Sequence, residues 1–176
     1  AALAEDAAGA GAMKVEALNF IEVLLDTHAA GDVQPHLGVL IAPLCEAAND
    51  KYYKVAAAGL ACIAQALKAV REPGGAVPAD LVTSITSVSD VVAARMAATD
   101  QDLEVKERAI TAASMLVSEL GDLPNARASD MLESLLDKVD NEVTRLAAVR
   151  ALTRVSSSPL AIDLSAISAR AAAAFS

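Results

Sequence analysis

The chain has 176 residues, a formal net charge of −9 and 55 % hydrophobic residues, yet only 2 % aromatic residues and no tryptophan. That acidity excludes non-specific attraction to nucleic-acid phosphates, which needs a positive field. Mean hydropathy is positive, +0.42, but the longest apolar run, residues 55–64, is 10 residues, well short of the roughly 18–20 that a bilayer span requires. A secretory signal, with a basic region followed by an apolar one, is not evident at the start.

About 40 alanines predict an all-α chain, because alanine is the best helix former and lets helices approach closely. Residues 1–12 read as a helix remnant or connector. Over 13–28 an amphipathic helix is expected, with Met13, Ala17, Phe20, Ile21, Leu24 and His28 on one face and Val15, Leu18 and Leu25 widening it. Residues 29–32 are read as its turn, with Gly31 as the stop. A second helix over 33–48 carries Leu37, Leu40, Ile41, Leu44 and Cys45, and Pro43 inside it is expected to kink or interrupt it.

The next helix is placed at 52–70, closed by a Pro-Gly-Gly loop. Residues 79–98 keep the row Ile85, Val88, Val92 and Met96 through a crowd of Ser and Thr, with a bend near Ser89 and Asp90. Helices over 103–120 and 126–139 follow. The last full one, 142–156, is read on Val143, Ala147, Ala151 and Val155, and Asp163 is expected to cap a final helix over 164–175.

Four helices share an apolar opener followed four places on by a small residue: Met13 and Ala17, Val55 and Gly59, Val105 and Ala109, Val143 and Ala147. Openers 42, 50 and 38 residues apart match the roughly 40–47-residue period of HEAT helix pairs, so the expected architecture is a HEAT-type α-solenoid of antiparallel pairs, about four repeats long. The units are set at 1–31, 32–75, 76–122, 123–158 and a partial 159–176, one stretch of a longer array, since neither end has the polar face a terminal repeat needs.

Candidate chemistry is sparse. Cys45 and Cys62 lack a second thiol or histidine at metal-ligand spacing and read as reduced core residues of an intracellular protein. His28 and His36 sit at helix ends, and no phosphate loop, zinc-binding histidine pair or nucleophile elbow is present in the sequence. Glu104 and Glu107 alternate with Lys106 and Arg108, which reads as a solvated, paired helix face. No enzyme activity, cofactor, metal, small-molecule substrate or membrane is implied. The repeat pattern of an Asp five places before the opener and a basic residue just after it survives in full only at Asp100, Val105 and Lys106, giving Asp100 and Lys106 as a candidate inter-repeat ladder pair. Lys54, Lys106, Arg108 and Arg145, near the starts of the second helices of each pair, are the candidate partner contacts.

The segments 100–110, 141–152 and 158–164, with 14–25 and 52–55 upstream in the same order, resemble the cullin-associated neddylation-dissociated family. The resemblance covers 14–164. It implies a HEAT superhelix, cytoplasmic and nuclear, that binds cullin-RING ubiquitin ligase cores without catalysis and regulates substrate-receptor exchange. Taken without that resemblance, the repeats fit a scaffold or adaptor of the transport-receptor or phosphatase-scaffold type.

Overall fold

In the computed structural model, residues 2–72, 75–99 and 101–174 are described. Among them are α1 (Ala2–Thr27), α2 (Ala30–Ala48), α3 (Tyr53–Lys68), α4 (Ala79–Ala97), α5 (Leu103–Leu120), a single 3-10 turn (Pro124–Ala126), α6 (Ala128–Asp140), α7 (Arg145–Ser156) and α8 (Ser165–Ala174), with no strand. Helices α2 and α3, α4 and α5, and α6 and α7 pack as consecutive pairs. The odd-numbered helices α1, α3, α5 and α7 stack side by side in one layer, and α2, α4, α6 and α8 in the other. This is an all-α solenoid of helix pairs, as the period of the openers predicts.

The core lies between the layers and is richest around α3 and α5. Eleven of the 16 residues of α3 are buried, against three of the 12 in α7, because α3 has helices on both sides of it as well as α2 behind. Many of those eleven are alanines, and their small side chains let three neighbours close on one helix without voids. The tightest approach is at Gly59. A Cβ there would lie 2.5 Å from the Ala48 backbone nitrogen and 2.8 Å from the Ala47 carbonyl carbon, so the second helix of the pair touches the backbone of the first.

Several expectations need correction. Helix α1 begins at Ala2, eleven residues earlier than the periodicity placed it, and its packed row is Leu18 and Leu25 with Val15 and Ile21 partly buried. Met13 and Phe20 are 75 % and 69 % exposed, so the face is rotated towards the residues assigned to its margin. The opener Val143 is 62 % exposed and lies ahead of α7. The buried row there is Thr144, Ala148, Ala151 and Val155, one residue later at its start than predicted. Steps of four drift about 40° each around the helix, whereas the buried row steps by four, three and four and so stays on one face.

Gly31 stops nothing: it is the second residue of α2, and the turn is only two residues, His28 and Ala29. Helix α2 also runs uninterrupted through Pro35 and Pro43. Pro43 frees the carbonyl of Val39, a residue that is exposed, so that carbonyl is not stranded in the core. Helix α4 likewise continues through Ser89 and Asp90. Ser89 is fully buried and donates to the Asn125 carbonyl at 2.7 Å. Ala126 ends the 3-10 turn rather than starting a helix, and Arg127 follows with φ of 49°. Its side chain binds Asp130 at 2.8 Å and Asp90 at 3.3 Å, holding a left-handed backbone that costs a residue with a Cβ about 1–2 kcal/mol.

Asp163 accepts from the Ser165 amide at 2.9 Å, so it does receive the start of α8. Both cysteines are buried and free. Cys62 donates to the Leu18 carbonyl at 3.1 Å, and burial pushes its thiol up to about 12.

Two outcomes follow from this core. Gly59→Ala adds a methyl against α2 backbone, and overpacking of about 1–3 kcal/mol exceeds the gain in helix propensity of up to ~1 kcal/mol. Its urea midpoint therefore falls below wild type; an unchanged or raised midpoint would show that α2 yields at no cost. Iodoacetamide at pH 8 is expected to leave Cys45 and Cys62 unlabelled in native protein and to modify both in denaturant, as read by intact mass.

Candidate protein-interaction surface and inter-repeat ties

Successive repeats are tied by cations that reach helix ends. Arg95 on α4 donates to the Ala48 carbonyl at 2.7 Å and to the Asp50 carbonyl at 3.3 Å. It thus satisfies carbonyls at the end of α2 and places a positive charge at the negative end of that helix. Lys14 on α1 pairs with Asp50 at 2.9 Å, and Asp50 also accepts from the Tyr52 amide at 2.9 Å. The Lys14 hydrogen bond first, and the Tyr52 amide next, hold the Asp50 carboxyl below the usual carboxylate range.

The most elaborate tie is at the opposite ends of the odd-numbered helices. Arg71, just after α3, donates to both oxygens of Asp122, at 2.9 and 2.5 Å, and to the Glu119 carbonyl at 3.0 Å through Nε. A planar guanidinium can serve a carboxylate and a carbonyl together, which an ammonium cannot. The hydrogen bond from Arg71 keeps the Asp122 carboxyl low and, reciprocally, raises the guanidinium. Between α4 and the 3-10 turn, Asn125 donates to the Val82 carbonyl and to Thr86. Ser158 donates to the Ser118 carbonyl at 2.6 Å. Arg170 on α8 pairs with Asp140 of α6.

The candidate residues named from sequence are spread over three helices. Lys54 is exposed, its Nζ 6.0 Å from the centroid of the Tyr53 ring. Lys106 is half-buried in a cavity of 190 Å³, with Lys138, Gln101 and Thr144 among its walls. Arg108 bridges towards α1, 4.0 Å from Glu22. Arg145 is turned back on its own pair, donating to the Val139 carbonyl at 3.0 Å and the Asp140 carbonyl at 3.4 Å. Asp100 lies outside the described residues, so its pairing with Lys106 has no geometry to set beside it. His28 is exposed and its Nδ1 lies 2.9 Å from the Leu24 carbonyl, at the end of α1.

Sequence reasoning missed Arg71 and Arg95. The signal for Arg71 is its place just past a helix end, where a cation can bind terminal carbonyls. Arg150 and Arg154 were missed as well. They line a groove of 230 Å³ between α5 and α7, with Glu107, Thr111 and Leu146 among its other walls. No helix among the described residues is long and apolar enough to cross a membrane, and no cluster of metal-ligating residues is found among them.

A family model described as CAND1-like, TPR repeats, matches residues 2–113. The chain is 34 % identical over 155 residues to the Cullin-associated NEDD8-dissociated protein 1 of Arabidopsis thaliana, covering 88 % of this chain and 13 % of that protein. It is 38 % identical over 166 residues to the Cullin-associated NEDD8-dissociated protein 2 of Mus musculus, covering 94 % and 13 %. A protein of Emericella nidulans named Cullin-associated NEDD8-dissociated protein 1, C-terminal part, is 36 % identical over 155 residues, 84 % of this chain and 15 % of that one. The chain thus spans about 13–15 % of the length of these relatives.

The Arg71 tie has a pH signature. Its carboxylate has a lowered folded value, so the stability it contributes is present above the unfolded aspartate value of about 3.9 and is lost as pH falls through the folded value. Asp122→Asn is expected to melt below wild type at pH 7, with the gap closing in strong acid. A gap that stays constant from pH 7 to pH 2 would mean that the carboxylate charge contributes nothing.

Proposed function

We propose, for a chain that belongs to the CAND1-like family, that it is one stretch of a longer repeat array whose work is to bind a cullin-RING ubiquitin ligase core and regulate its assembly and substrate-receptor exchange. The observation that carries this reading is the match to relatives named as cullin-associated over most of the chain, joined to a layered solenoid that offers extended faces. Binding is non-catalytic and spreads over many modest contacts, since each repeat presents only one or two helix faces. Lys54, Lys106, Arg108 and Arg145 are proposed contributors, Lys54 and Arg108 through exposed cations, Lys106 through the seam between repeats and Arg145 from within its own helix pair. The units proposed for the array are those set by the sequence period, and the protein is proposed to work in cytoplasm and nucleus.

The relatives are named cullin-associated and NEDD8-dissociated, and the discriminating condition proposed from these words is whether the cullin carries NEDD8. Full-length protein is expected to retain an unmodified cullin-RING pair in a pull-down and to lose it when the cullin carries NEDD8. Equal retention of both forms, or of neither, would overturn the reading and leave a generic scaffold or adaptor in its place.

A further inference from the structure

Helix α7 runs against the charge of the chain. The whole is −9, yet the 12 residues of α7 hold Arg145, Arg150 and Arg154 and no carboxylate. Arg145 is engaged by the carbonyls at the end of α6. Arg150 and Arg154 are exposed and have no carboxylate within salt-bridge distance among the described residues. They stand one helical turn apart on the wall of the 230 Å³ groove between α5 and α7. Beside them Leu146 is 61 % exposed, a large apolar side chain at the lip of a charged cleft.

The hydroxyls of the groove are already occupied. Thr111 donates to the Glu107 carbonyl at 3.0 Å and Ser114 to the Thr111 carbonyl at 2.8 Å. The two guanidiniums are therefore the groove's available charged donors. In the register that aligns Val105 with Thr144, Glu107 and Thr111 occupy on α5 the places of Leu146 and Arg150 on α7, and both stay exposed with α7 packed alongside, while Met115, in the place of Arg154, is buried. A further helix stacked on α7 in that register leaves Leu146 and Arg150 open.

We propose that the α5–α7 groove is the docking site for an acidic, amphipathic segment of a protein partner, with two carboxylates set to meet Arg150 and Arg154 and an apolar side chain against Leu146. Carboxylates fit better than phosphates for two reasons. Glu107 on the facing wall opposes a dianion, and the net charge of the chain repels a polyanion such as nucleic acid. An exposed leucine also calls for an apolar contact that a phosphate backbone lacks. The proposal rests on the reading of the chain as a cullin-binding array in naming the cullin-RING core as the partner that carries the segment; the chemistry of the groove stands without it.

The test uses full-length protein. On binding the cullin-RING core, hydrogen exchange is expected to slow over 107–114 and 146–154, and Arg150→Glu with Arg154→Glu is expected to weaken affinity at least tenfold. Arg127→Ala, on the other layer, serves as the control for an arginine lost elsewhere and is expected to bind as wild type. Thermal melts confirm that the variants fold. Tight binding without protection in those segments, or with the double variant unimpaired, overturns the groove and leaves the cullin reading intact. Failure of wild type to bind the core overturns the cullin reading instead, and a labelled helical peptide with glutamates at i and i+4 and a neighbouring leucine then decides the groove. Arginine-dependent binding of that peptide over its glutamine version supports the site. Equal binding of both versions, no binding, or stronger binding of a phosphoserine version or of single-stranded DNA overturns it.

Discussion

The close approach of α2 to α3 at Gly59 sets the spacing on which the solenoid depends. A repeat protein has no central core that every element shares, so each pair must be buried by its neighbours. Burial on that scale with so few large side chains requires short interhelical distances, and these require glycine and alanine at the contact. The composition of the chain, rich in alanine and nearly free of aromatics, follows from this constraint. Where the neighbours are on both sides, at α3 and α5, helices bury on nearly all faces. Helix α7, stacked on one side only, buries three of its 12 residues.

Apolar packing of small residues positions helices poorly in rotation and translation, because alanine faces are alike. The polar ties supply what the alanines lack. Arg71 reading Asp122 and the Glu119 carbonyl, Arg95 reading the Ala48 carbonyl, and Ser89 reading the Asn125 carbonyl each fix one helix end against the next repeat. Most of these acceptors are main-chain carbonyls at or near helix ends, which have no partner within their own helix. Such a tie needs only one side chain of defined length, so it can recur without a repeating pair of charges in the sequence.

That division of labour bears on function. The cations used for ties face the seams, and those left exposed on the odd-numbered layer are the ones assigned to a partner in the proposed reading. Lys54 and Arg150 belong to the second group, whereas Arg145, alike in sequence position, is held within its own helix pair. A surface of this kind distinguishes partners by the arrangement of scattered charges more than by the fit of one pocket.

The sequence by itself determined the class of fold and most helix bounds, because hydrophobic period and helix propensity act locally: α5 spans the expected 103–120, and Ile85, Val88, Val92 and Met96 of the expected α4 row are all buried, joined by Leu81 and Ser89. It also carried the family, through the order of short segments from 14 to 164. The tertiary structure alone decided the buried faces of α1 and α7, since large apolar side chains lie on both sides of the row in α1 and the α7 row begins at a threonine. It also decided that α2 and α4 run whole through Pro43 and Ser89, the first facing solvent and the second bonded to a carbonyl 36 residues away. Which arginines hold the array together and which remain free was likewise settled there, because a guanidinium's partner lies on another repeat and no spacing within one helix reveals it.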